Sequence, residues 1–236
     1  MAQITRIVNV KRQDEHNAGD AVCSPLDYFA FPVPVTKCDI YLSLGLAPDD
    51  ETLIILGGGG LFHFRGFVEH VLASWKHVVL WGMGFNAHGQ ESDEPPRLFG
   101  HLAGLRDKTS KHWVPCPSCI SALLDNQPPP EHDTVYYAHQ SHDLPRLRGS
   151  PYLTNRVAFD EAIRFLSSGK TVVTNSYHGA YWASLMGRKV IVRNPWSSKF
   201  NYAFFGERTL AQCRSANLDF YRLVMERYFS PRPTEG

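Results

Sequence analysis

The chain has 236 residues, 43% of them hydrophobic, with 24 basic and 23 acidic side chains and a net charge of +1. That length suits one large α/β domain or two small ones, and the composition is that of a packed globular core, which excludes a disordered chain. A balanced charge excludes a nucleic-acid wrapper or a polybasic membrane anchor, so any basic site is local and no nucleic-acid partner is expected.

Residues 4–10 read as a first strand, and a polar loop through Asn17-Ala18-Gly19-Asp20 leads to an apolar segment beginning at Ala21. Asp20 is the expected N-cap of a helix there. A short strand is expected at 39–42, then an acidic loop at 48–51, then a buried strand at 52–56. The run Gly57 to Gly60 follows at once. Phe64, Phe67, Val68, Val71, Leu72 and Trp75 recur at helical spacing, with His63, Arg65, Glu69 and Lys76 outside the stripe. The next strand is expected at 77–81, which completes a βαβ unit of a mainly parallel sheet.

Two loop-rich stretches interrupt the rhythm: 89–97, with Glu91, Asp93 and Glu94 before two prolines, and 127–133, with three successive prolines. The second is the expected domain boundary, because polyproline makes a semi-rigid spacer outside sheet and helix interiors. It divides the chain into a half at 1–126 and a half at 133–236. In the second half strands are expected at 134–138, 171–174 and 189–193. Helices are expected at 157–166, capped near Asn155, at 179–186, and at 218–228. The fold class is therefore α/β.

Chemistry concentrates where strands run into helices. In Ser176-Tyr177-His178-Gly179-Ala180 a strand feeds straight into a helix, placing an imidazole and free backbone N–H groups at the carboxyl edge of a sheet. That suits an anionic substrate, with His178 in a proton-transfer or phosphate-contact role; a structural histidine bonded across the sheet is the alternative. The glycine run frees N–H groups for an anion but lacks the Lys-Ser/Thr of a P-loop, and tight packing explains it equally well. Asp20 is either a proton-transfer group or a cap. From Arg188 to Arg214 six basic residues face one acid, Glu207, and Arg193 stands at a strand's carboxyl end where a guanidinium could clamp phosphate or carboxylate. Cys116-Pro-Ser-Cys119 and His139-x-x-His142-Asp143 are the metal candidates, each short of a full ligand set, so no metal and no cofactor is expected.

No apolar run approaches the roughly 20 residues of a membrane span, and the first residues lack a secretory signal's apolar middle. Five cysteines at irregular gaps fit reduced thiols. A cytoplasmic location is expected.

The order of the motifs is more specific than any one of them: Asn17-Ala18-Gly19-Asp20, Leu56-Gly57-Gly58-Gly59-Gly60, Leu105-Arg106-Asp107-Lys108-Thr109-Ser110, Pro115-Cys116-Pro117-Ser118 and Ser176-Tyr177-His178-Gly179. This series resembles the polysaccharide pyruvyl transferase family, over residues 9 to 194. The resemblance implies two Rossmann-like halves facing each other across a cleft, as in GT-B glycosyltransferases, here with a reduced second domain. It implies transfer of the enolpyruvyl unit of phosphoenolpyruvate onto a saccharide acceptor of a surface polysaccharide, as a pyruvate ketal. It also makes peripheral association with a membrane-bound lipid-linked saccharide compatible with a cytoplasmic enzyme. In that chemistry C3 of the enol is protonated, C2 gains positive charge, and cations hold the carboxylate and departing phosphate. His178 is then the candidate acid or phosphate contact and Asp20 the candidate base. Arg106 and Arg193 are candidate clamps, and Asn17, Gly19, Gly58, Gly59, Ser176 and Gly179 complete the expected substrate site. Ser176 stands where the family commonly has Arg, and Arg156 or Arg193 is the expected replacement. Glycosyl transfer from a nucleotide sugar and a non-catalytic role on the same fold are the other readings.

Overall fold

The computed structural model describes residues 3–14, 16–89, 94–108 and 110–230. Of the 89–97 loop, Glu91 and Asp93 lie outside the described residues, as does Thr109 of the Arg106 motif. Among the described residues the chain forms two sheets, and every strand pairing in both is parallel.

The first sheet holds β1 (Arg6–Lys11), β2 (Val35–Asp39), β3 (Thr52–Gly57), β4 (Val78–Met83) and β5 (Leu102–Leu105) in the order β2-β1-β3-β4-β5. Its central strands β3 and β4 are buried along their whole length, which is why they read as unbroken apolar runs. Side chains alternate between two cores: Ile54 and Leu56 pack under α2 (Arg65–Ser74), while Leu53 and Ile55 face Phe220 and Val224. The latter pair belongs to α5 (Leu210–Phe229), the last helix, which returns from the second half to cover the first sheet. A capping box between Thr209 and Gln212 starts α5 well before the expected 218–228. Asn217 then fixes it to the sheet, accepting from Trp81 Nε1 at 2.9 Å and donating to the Pro115 carbonyl at 3.2 Å.

The second sheet holds β6 (His132–Ala138), β7 (Tyr152–Thr154), β8 (Gly169–Thr174) and β9 (Lys189–Val192) in the order β7-β6-β8-β9. Residues 106–131, with the triple proline, join the two sheets. Helices α3 (Phe159–Ser167) and α4 (Tyr177–Leu185) pack on this sheet through Ala162, Ile163, Leu166, Trp182 and Ala183. Helix α4 is buried on nearly every side because its far face lies against the first half. There Tyr181 Oη donates to the Cys116 carbonyl at 3.0 Å and Trp182 Nε1 donates to Ser118 Oγ at 3.0 Å.

Several expected elements are corrected. The short helix α1 is Ala18–Ala21 with Asn17, not Asp20, as its N-cap: Asn17 Oδ1 accepts from the Gly19 amide at 3.0 Å. The strand expected at 39–42 lies earlier, at β2, because Asp39 accepts from the Tyr41 and Gln13 amides and turns the chain there. Asn155 does not cap α3, whose N-cap is Ala158.

Removing Asn217 strips the buried Trp81 indole N–H of its acceptor, and an unsatisfied buried donor costs about 1–3 kcal/mol. Asn217→Ala is expected to lower the free energy of unfolding by that amount in urea titrations, and an unchanged midpoint would contradict this account of how α5 is anchored.

Candidate functional site

Each sheet reverses its winding once, between β1 and β3 in the first and between β6 and β8 in the second. In such folds the loops at the carboxyl ends of the strands part at the reversal and leave a crevice. Here the two crevices open onto one another, and a single cleft is lined from both sheets. Asn17 and Asp20 follow β1, Gly59 and Gly60 follow β3, and Arg106 follows β5. From the other side His139 follows β6, Asn155 follows β7, Ser176 and His178 follow β8, and Trp196 and Lys199 follow β9. The cavity of about 130 Å³ has room for several waters or a small anion.

The seam beside it is tight. The Ala18 amide donates to the Asn155 carbonyl at 2.9 Å, and Asn155 Nδ2 donates to Asn17 Oδ1 at 3.0 Å. A Cβ on Gly19 would lie 2.0 Å from His178 Nδ1, so only glycine lets the imidazole seat there. That contact leaves Nε2 as the nitrogen of His178 turned elsewhere; it is buried and has no partner among the described residues. Ser176 caps α4, its Oγ accepting from the Gly179 amide at 3.3 Å. The Gly179 N–H is therefore occupied, which corrects the expectation of a free donor at that position.

Burial sets the charge states. It pushes His178 down to about 3, with the Arg106 and Lys199 charges adding to the effect, so the imidazole is neutral. Burial pushes Asp20 up to about 6, against the opposing pull of Lys11, whose ammonium donates to the Asp20 backbone carbonyl. Asn17 Nδ2 donates to Asp20 Oδ2 at 3.1 Å. His139 is pushed down to about 4, by burial first and then by Lys199 and His142.

Of the residues the sequence singles out, Asn17, Asp20, Gly59, Arg106, Ser176 and His178 meet in this cleft, and Gly19 touches His178. Gly58 and Gly59 both adopt positive φ, at 89° and 76°, but Gly58 is packed onto Cys23 and only Gly59 reaches the cavity. Gly179 is packed onto Tyr137. Arg193 and Arg156 are exposed and outside the lining, so neither replaces a cation at position 176. Cys116 and Cys119 are buried free thiols, Cys119 Sγ accepting from Asn217, and among the described residues no group of three metal-ligating side chains occurs. The site residues not anticipated are Asn86, Asn155 and Trp196. His139 drew notice only as a metal candidate. Lys199 drew notice only as one of the six basic residues from Arg188 to Arg214; the fold selects it from among them.

No protein-family profile and no curated protein sequence matches the chain. Its structure is similar to the crystal structure of an uncharacterized protein from Klebsiella pneumoniae subsp. pneumoniae, with a TM-score of 0.51 and 15% sequence identity, covering 85% of this chain and 87% of that one. At that identity the likeness shows the fold alone: an α/β protein of two parallel sheets. No helix among the described residues is long and apolar enough to cross a membrane.

The raised carboxyl of Asp20 has a consequence for stability. A folded-state value above the ordinary 3.8 contributes stability that is complete below about 3.8 and is lost as pH rises through about 6. Asp20→Asn is therefore expected to gain about 1–3 kcal/mol on the wild type between pH 4 and pH 7. Chemical denaturation at the two pH values checks this, and a difference that stays flat would place Asp20 in water.

Proposed function

We propose that the chain is a pyruvyl transferase, moving the enolpyruvyl group of phosphoenolpyruvate onto two hydroxyls of a sugar in a surface polysaccharide, on a GT-B-like arrangement of two Rossmann-like halves. The observation that carries this reading is the convergence of both reversal-point crevices on one cleft that holds Asp20, Arg106 and His178. Four of the five motifs with which the sequence resembles the family contribute residues to this cleft, and the fifth, at 115–118, packs against α4 beside it.

The charge states fit the chemistry. With its carboxyl near 6, Asp20 can hold a proton at neutral pH and also release it. It gives that proton to C3 of the enol, and C2 takes on oxocarbenium character. The resulting carboxylate accepts the proton of the first sugar hydroxyl as its oxygen bonds to C2. The C2–O bond to phosphate then breaks, the second hydroxyl oxygen closes the ketal, and its proton leaves with inorganic phosphate. His178, neutral and with Nε2 unpartnered, suits contact with the phosphoryl group; a bound dianion would raise its affinity for a proton and let it assist departure. Arg106 supplies a guanidinium on the wall of the same cleft.

Incubation of the protein with phosphoenolpyruvate and a panel of galactosides and mannosides is expected to release inorganic phosphate in proportion to ketal formed. His178→Ala is expected to reduce release per mole of folded protein by at least 100-fold, with a lower melting temperature because it also opens the seam at Gly19. No phosphate with any acceptor, and no thermal stabilisation by phosphoenolpyruvate, would reject the proposal. Stabilisation by a nucleoside diphosphate in its place would favour glycosyl transfer.

A further inference from the structure

The cleft contains two largely buried basic side chains, Arg106 and Lys199, that share a lining with one carboxylate, Asp20, and form no ion pair with it. Arg106 is 3% exposed and Lys199 is 8% exposed. Neither forms an ion pair among the described residues. Arg106 lies with its Cζ 3.9 Å from the centre of the Tyr177 ring, its Nε is buried without a partner among the described residues, and Nη2 makes a long contact of 3.5 Å with the Phe85 carbonyl. Lys199 Nζ sits 3.5 Å from the centre of the Trp196 ring.

The placement of Lys199 is built by the fold. The segment after β9 is held to both halves: Trp196 Nε1 donates to the Asn175 carbonyl at 2.9 Å on one side. On the other, the Ser198 amide donates to the Ala87 carbonyl at 3.0 Å, the Ala87 amide donates to Ser198 Oγ at 2.9 Å, and the Lys108 amide donates to the Tyr202 carbonyl at 3.0 Å. This strap crosses the cleft and carries Lys199 into its wall. The charged and titratable groups that line the cleft with Lys199 are Arg106, Asp20, His178 and His139. Among the described residues Asp20 is the sole carboxylate in that lining.

We propose that Lys199 and Arg106 form a two-cation clamp for a phosphoryl dianion, one cation contributed by the strap and the other by the first half, with His178 Nε2 as a third contact. The clamp deepens the transferase reading and rests on it for the identity of the donor. Its physical case is the mismatch between what these side chains have and what they need. A buried charge without an ion pair costs stability, and among the described residues two buried donors of this lining, His178 Nε2 and Arg106 Nε, have no hydrogen-bond partner; one anion can satisfy both together with the Lys199 ammonium. Burial, reinforced by the Arg106 charge, also drives the Lys199 ammonium well below its ordinary pKa, and an entering anion reverses that.

Calorimetric titration of the full chain with phosphoenolpyruvate, inorganic phosphate and uridine diphosphate tests the clamp. Wild-type protein is expected to bind phosphoenolpyruvate and phosphate. Lys199→Met is expected to bind both at least tenfold more weakly while melting at an equal or higher temperature, because a buried unpaired charge has been removed. Lys199→Arg should retain most of the affinity, and Lys189→Met, on the exposed outer strand, should retain all of it. Wild-type affinity in Lys199→Met, or no binding of any of the three anions by the wild type, would overturn the proposal. Should Lys199→Met fail to fold, Lys199→Gln is judged by the same criterion. Loss of binding in Lys199→Met beside a wild type that turns nothing over would keep the clamp and reject the transferase. Turnover with unchanged Lys199→Met binding would reject the clamp alone. Selective binding of uridine diphosphate through Lys199 would keep the clamp and give it a nucleotide donor.

Discussion

The two halves meet at Gly19 and His178, and the clearance there is zero. No side-chain carbon fits between the turn that opens α1 and the imidazole that opens α4. The seam is completed by Ala18 on Asn155, Asn155 on Asn17, and the buried face of α4 on the segment at 115–119. Because α4 is held from both sides, its N-terminus is a fixed point for both sheets. The charge states of the cleft follow from the same closeness: His178 is buried and Asp20 half-buried, so the base loses its proton and the acid keeps its own to higher pH.

That geometry also explains why the lining is so evenly shared. The strands of both sheets, β2 excepted, deliver lining residues from their carboxyl ends to the cleft. Parallel strands point all their carboxyl ends the same way, and two such sheets set edge to edge turn a pair of shallow crevices into one enclosed site. Among the described residues of the lining, His178 Nε2, Arg106 Nε and Asn86 Oδ1 are buried without a hydrogen-bond partner, two of them donors. The strap at 194–208 encloses the site further, and it joins the halves at Ala87 and Lys108 as well as adding Lys199.

What the sequence discloses of this arrangement divides along the sheet edges. Strands β3, β4 and β8 stand in sheet interiors, and their apolar runs announce them. Strands β2, β5 and β7 are edge strands with partly exposed faces; β2 is expected a few residues too late, and β5 and β7 carry no apolar run to mark them. The edge position of β9 likewise explains Arg193: it follows a strand of the right sheet, yet an edge leaves its side chain to solvent. Asp20 and His178 are legible because a short polar motif must sit where a strand turns into a helix. Trp196 is not, and the basic stretch at 188–214 does not single out Lys199, because no local pattern states that a loop will fold back across a cleft. The first half of α5 is hidden for a different reason: its cap is the pair Thr209 and Gln212, which only the formed capping box distinguishes from loop residues.

A crystal structure of the chain with phosphoenolpyruvate tests the account most directly. The ligand is expected in the cleft between the two sheets, an oxygen of its phosphoryl group within hydrogen-bond distance of His178 Nε2 and its charge facing Arg106. Phosphoenolpyruvate bound elsewhere on the molecule, or a cleft that stays free of it at saturating concentration, would contradict the claim that this seam exists to hold a small anion.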